Sequence, residues 1–285
     1  MTDGRLIIEI APPGAIVPVG EMLTAVERGT LDFAGLMYAG YYTGIIPEAD
    51  VEIGLPYAWE VPEEMSDALY NWGLEDEFVA IYAEHNIWPH IFPDGALYHF
   101  GTNFPIASPD AVKGKKLRAL GIYGKYVQAL GGSPVSIPKG EVYMAMKLGT
   151  IDGYLMGPSG LEEVKLKEVT DYYVVDPNTN TIGANFLFNL DSLNALPADI
   201  RELIQSNAKY VTSYFTNQFY TLSRWILYSV ERQGYTKAVS WSEADKAKVR
   251  ELSIALWDDV AAKSPRCARL VEIVRAQAKD MNKIK

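Results

Sequence analysis

The sequence predicts an α/β protein built from two similar lobes. Three observations carry that prediction. The stretch from Lys115 to Pro158 alternates strand and helix signals, the second half of that stretch occurs twice in the chain, and residues 199–232 run without Gly or Pro. More than 30 uninterrupted residues exceed an average helix and suit a strut between two bodies.

Within the first stretch, KKLRAL is short and apolar on alternate positions, as a strand is. GKYVQALGG reads as a short helix stopped by a Gly pair, where a left-handed cap costs little. SPVSIP is β-branched and closed by Pro, and EVYMAMKL places Val142, Ala145, Met146 and Gly149 on one helical face, with Gly149 set to end the helix. TIDGYLM returns as a strand. A βαβαβ unit of this kind implies parallel strands with helices on the sheet faces.

EMLTAVERGTLD (21–32) and EVYMAMKLGTID (141–152) match at Glu, at Ala four on, at Gly four further on, then at Thr, Leu or Ile, and Asp. Such agreement at fixed offsets points to two lobes of one design. In the second copy a strand and helix (115–132) precede SPVSIP, whereas in the first copy RLIIEIAP is the matching second strand and almost nothing lies before it. If the lobes are equivalent, the first is expected to lack its opening strand and helix: either the chain is a fragment or that lobe is built differently.

In chain order, residues 5–11 are an expected strand and PPGAIVPVG a turn. A helix at 21–28, a strand and a Gly/Tyr-rich loop follow; Gly lets backbone approach a ligand, and Tyr offers flat area with a polar tip. VPEEMSDALYNWGLEDEFVAIYAEHN is expected as a solvated helix with an acidic face, and IWPHIFPDGALYHFGTNFPIAS as an aromatic-rich strand region. SGLEEVKLKEVTDYY reads as a helix with Glu162 and Glu163 in its first turn, and GANFLFNL as a strand whose apolar run Asn185 interrupts. Ser242 and Asp245 form a capping box for a helix to about Lys263, and a last helix starts at Cys267.

A net charge of −10 and a pI near 4.9 argue against nucleic acid or an anionic membrane surface as partner, since both need a basic face. The single Cys267 cannot form an intramolecular disulfide or a thiolate metal site. No stretch approaches the roughly 20 apolar residues of a membrane span. Met1-Thr2-Asp3-Gly4 leads straight into the expected strand, so no signal peptide is expected in this chain.

His85, His90 and His99 lack metal-ligand spacing, and no nucleophile elbow, phosphate loop or dinucleotide fingerprint is present. Neither a metal nor a cofactor is expected. Arg118 stands out: it follows Lys115 and Lys116 in a strand that otherwise wants apolar residues, near the carboxyl end of a parallel strand, where ligands of open α/β sheets gather. A guanidinium there can grip a carboxylate through two parallel hydrogen bonds, or it can form an exposed salt bridge with one of the 36 acids.

KGKKLRALG, GGSPVSIPKGEVYMAMKLGTIDGYLMGP, EMLTAVERGTLDFA upstream and NALPADIRELI downstream together resemble the substrate-binding proteins of tripartite ATP-independent periplasmic (TRAP) transporters, the DctP family. The resemblance covers essentially the whole chain. It implies a two-lobed periplasmic-binding-protein-like α/β fold with crossing strands and a long connecting helix. The implied division is 1–95 plus about 184–223 for the first lobe and 96–183 plus about 224–285 for the second.

The family's signature arginine falls on Arg118 and pairs with a ligand carboxylate. Further ligand contacts are implied at Tyr98 and His99, at Met156, Gly157 and Pro158, at Asn185, and at Tyr38 and Tyr41 in the first-lobe loop. Tyr98 stands where many members have a second Arg or a Gln, and the 177–181 turn reads Pro-Asn-Thr-Asn-Thr where the metal-bound 2-oxo-acid branch has acidic and aromatic residues. The resemblance therefore implies neither a sialic acid nor a metal-bridged keto acid. It implies a monomeric extracytoplasmic, periplasmic receptor that passes a small organic acid to a TRAP permease. The rival reading is an α/β enzyme acting on a small organic acid, with Tyr98 or His99 as base.

Overall fold

A computed structural model of the chain describes residues 2–177 and 179–284, so Asn178 of the Pro-Asn-Thr-Asn-Thr turn lies outside the described residues. The helices are α1 (Met22–Glu27), α2 (Ala49–Glu52), α3 (Pro62–Tyr70), α4 (Leu74–Ala83), α5 (Ile122–Ala129), α6 (Val142–Lys147), α7 (Gly160–Glu163), α8 (Leu190–Ala195), α9 (Ala198–Gln233), α10 (Glu243–Ala261) and α11 (Pro265–Asp280). Strands β1 (Phe33–Met37), β2 (Ile87–Leu97) and β8 (Thr181–Asn189) form one sheet in the order β1-β8-β2, both outer strands antiparallel to β8. Strands β3 (His99–Thr102), β4 (Lys116–Arg118), β5 (Ser133–Val135), β6 (Gly153–Met156), β7 (Tyr172–Asp176) and β9 (Lys237–Ser240) form the other, in the order β5-β4-β6-β3-β7-β9.

The βαβαβ unit folds as its sequence predicts, with β4 parallel to both β5 and β6. The chain crosses between the sheets three times, from β2 to β3 through Tyr98, from β7 to β8, and from β8 to β9 through α9. Helix α9 is the strut. It packs on β2 and reaches β9, and its Ile226 and Val230 enter the core of the second lobe.

The internal repeat is physically equivalent in both lobes. Gly29 and Gly149 both take left-handed backbone, φ +71° and +69°. The next amide reaches back to the helix in each case, Thr30 N–H to Ala25 O at 2.8 Å and Thr150 N–H to Ala145 O at 2.9 Å. Strands β1 and β6 are thus counterparts, each with an antiparallel neighbour on one side, β8 and β3.

Four expectations need correction. Residues 5–11 are not a strand; Ile7 and Ile10 are 79% and 89% exposed. Their counterpart β5 pairs only with β4, and among the described residues no strand lies on the outer edge of β1 to play that part. The expected single helix over 61–86 is two, α3 and α4, because Gly73 turns left-handed (φ +86°) between them. The helix expected after Pro158 stops at Glu163, where Lys165 adopts φ +56°. Finally, α10 lies on α5 as a second-lobe element, but α11 lies against α2, α3 and α4 of the first lobe. There Trp59 Nε1 donates to Gln277 Oε1 at 2.8 Å, anchoring the C-terminal helix.

Gly149→Ala should destabilise the protein by about 1–2 kcal/mol, because a Cβ is disfavoured at left-handed φ. Gly140→Ala, in open space at ordinary φ, should be near neutral. Urea unfolding checks the pair, and equal midpoints would contradict the assigned cap.

Candidate functional site

Between the two sheets lies a small cavity of about 50 Å³. Tyr38 and Tyr41 reach it from the turn after β1, Arg118 from the carboxyl end of β4, and Met156 and Gly157 from the end of β6. Tyr98 enters from the crossover, and Ile182 from β8.

Arg118 is 2% exposed. Its Nε donates to Ile137 O at 3.2 Å, Nη1 to Leu155 O at 3.5 Å and Nη2 to the Tyr41 hydroxyl at 3.3 Å. All three acceptors are neutral, and among the described residues no carboxylate pairs with the guanidinium. A guanidinium has five N–H groups, so donors remain for a further acceptor. Tyr41 belongs to the first lobe and Arg118 to the second, so this hydrogen bond spans the cleft. The lobes meet closely beside it: a Cβ on Gly40 would stand 2.8 Å from Leu120 Cβ.

Asp94 is the residue that sequence reasoning missed. It lies within β2, in the expected strand region, where a register shift between Pro93 and Leu97 bends the strand. Gly95 (φ +81°) makes the bend possible, since a Cβ there would run into the α9 backbone at 2.4 Å from Thr216 O. The bend puts Asp94 on the cavity wall. Tyr38 donates to its Oδ2 at 3.2 Å, while Oδ1 is buried without a protein partner. Burial pushes the Asp94 carboxyl up to about 6, against the Tyr38 hydrogen bond and the nearby Lys139 charge. Lys139, also on the wall, is paired with Glu163. A charged residue inside an otherwise apolar, aromatic strand was the available signal.

Three expected contacts lie elsewhere. His99 faces away from Tyr98, as neighbours on a strand do; its Nδ1 meets Val174 O at 2.8 Å, and burial lowers its pKa to about 4. Asn185 leaves the cavity for the same reason, since β8 turns Ile182 inward and Asn185 to the other face. Pro158 sits between Gly157 and Ser159 without lining the cavity, its carbonyl occupied by Leu161 N–H at 2.9 Å. As for a base, burial pushes Tyr98 up to about 12, which keeps it a hydrogen-bonding phenol near neutral pH.

A larger hollow of about 500 Å³ runs between α3 and α9. Its only charged lining residues are Glu63 and Asp67, which repel an anion.

The sequence profile described as bacterial extracellular solute-binding protein, family 7 (DctP), matches residues 1–264. The chain belongs to this family.

A relative named monocarboxylate 2-oxoacid-binding periplasmic protein all3028, from Nostoc sp. (strain PCC 7120), is 27% identical over 99% of this chain and 77% of its own length. Among solved structures, a TRAP periplasmic solute binding protein from Chromohalobacter salexigens with bound (S)-(+)-2-amino-1-propanol superposes with a TM-score of 0.89 at 22% identity, covering 99% of this chain and 88% of that one. Another from Rhodoferax ferrireducens, with bound malonate, gives 0.86 at 18% identity over 100% and 90%. These likenesses establish the two-lobed fold. The family consists of transporter receptors, so this DctP-family chain is a binding protein and not an enzyme.

Asn185 serves a different cluster in this DctP-family chain. The fully buried Glu52 carboxyl accepts hydrogen bonds from the Asn185 amide and from the Tyr82 and Tyr42 hydroxyls. Burial nevertheless raises its pKa from 4.5 to about 7. Between those values the unfolded chain gives up a proton that the folded state keeps, so this contribution to stability is lost as pH rises from 4.5 to 7. His90 and His99, both lowered to about 4, act in the opposite sense, so a difference is the useful quantity. Relative to Glu52→Gln, wild type should lose roughly 3 kcal/mol of stability between pH 4.5 and pH 7.5. Parallel unfolding curves for the two proteins across that range would contradict it.

Proposed function

We propose that this DctP-family receptor captures a small carboxylate at Arg118 in the periplasm and delivers it, as a monomer, to the membrane subunits of a TRAP permease. The observation that carries the reading is the buried guanidinium without an acidic partner. An isolated charge out of water is costly, and neutral carbonyls compensate only part of that cost. A ligand carboxylate supplies the missing charge through two parallel hydrogen bonds. The cavity is small, which limits the ligand to a compact acid. Tyr41 and Arg118 already join across the cleft, so an acid held between them favours the closed arrangement by differential contact. The name of the Nostoc relative, which specifies a monocarboxylate, agrees with this reading.

A thermal-shift screen of small mono- and dicarboxylates tests it. An acid at 100 times its dissociation constant stabilises the folded protein by about 2.7 kcal/mol, which is roughly 5–10 °C for a chain of this size. Arg118→Gln should weaken binding of the same acid by about 3–5 kcal/mol, a loss of a hundredfold or more. Retention of affinity within threefold would overturn the anchoring role.

A further inference from the structure

The cavity holds a second buried charge as well as the first. Asp94 is 2% exposed, carries one hydrogen bond from Tyr38, and has an oxygen, Oδ1, with no protein partner. Among the described residues no ion pair is made with Asp94: Lys139, also on the cavity wall, acts on it only through its charge and is paired with Glu163. Asp94, Tyr98 and Arg118 line the same small cavity, so the two charges flank one space. A buried carboxylate oxygen lacking a donor is expensive, and a plain alkyl acid would leave it so.

From this pairing we propose that the ligand is a small carboxylate that also carries a hydrogen-bond donor, an ammonium or a hydroxyl, with the carboxylate on Arg118 and the donor on Asp94. The inference rests on the reading of Arg118 given above and narrows it to amino acids and hydroxy acids. Asp94 stands on β2 of the first sheet and Arg118 on β4 of the second, so one such ligand ties the lobes together at both of its ends. A plain acid engages Arg118 but leaves the Asp94 wall without a bond, which weakens closure. The aspartate thus acts as a selector: it rewards a donor and disfavours a second carboxylate at that end of the ligand, because two anions would share a dry space.

Matched series of acids measure this directly: propionate, lactate and alanine, then butyrate, 4-hydroxybutyrate and 4-aminobutyrate, with both enantiomers where they exist. Titration calorimetry on wild type should show at least one ammonium or hydroxyl member binding tenfold or more tighter than its plain counterpart. Asp94→Asn keeps the shape and an acceptor oxygen but removes the charge. If the preferred member is an ammonium acid, the variant should lose at least tenfold in its affinity; if it is a hydroxy acid, the loss should stay within about threefold. Arg118→Gln should abolish binding of every member. Plain acids bound as tightly as their substituted partners, by a wild type that still depends on Arg118, would overturn the selector and leave the carboxylate receptor standing. Binding that survives Arg118→Gln would overturn the reading on which the selector rests. The wild-type ratio is informative by itself, even if Asp94→Asn does not fold.

Discussion

The buried guanidinium of Arg118 governs the architecture around it. A three-residue parallel strand ending in a charge is tolerable only if acceptors converge on that charge, and here they come from three separate segments. Ile137 lies beyond β5, Leu155 on β6, and Tyr41 across the cleft in the other lobe. One side chain therefore links β4 to β6, to the segment after β5 and to the turn after β1. The acceptors are neutral, and in the proposed function a ligand carboxylate balances the charge. In that proposal the feature that costs stability in the folded protein also supplies the affinity for an anion.

Two buried acids in this chain show how partner count separates structure from recognition. Glu52 receives three hydrogen bonds from Tyr82, Tyr42 and Asn185 and does not line the cavity that holds Arg118. It is a cross-link within the first lobe. Asp94 receives one, keeps an oxygen free of protein partners, and borders the space that Arg118 also faces. Both carboxyls are raised by burial, so the direction of the shift does not distinguish them. Their surroundings do.

Much of the fold was legible because its signals are local. The two Gly-Thr turns announce helix ends through backbone conformation, and the βαβαβ unit follows from alternating periods of two and 3.6. Arg118 was legible because a charge in a short apolar strand is conspicuous. What was illegible depends on pairing and facing. Residues 5–11 have a strand's composition but no neighbouring strand to bond. The family resemblance implied Asn185 and His99 as contacts, whereas neither lines the cavity. Asp94 lies inside the expected strand region, but the bend that turns it to the cavity depends on the packing of Gly95 against α9, which the strand pattern does not carry.

The most direct test of the account is a crystal structure of the protein with the small acid that stabilises it most. The account places a carboxylate of that acid within hydrogen-bond distance of the Arg118 guanidinium, with Tyr41 still reaching across from the first lobe. A carboxylate found instead on Lys139, or in the larger hollow between α3 and α9, would contradict it.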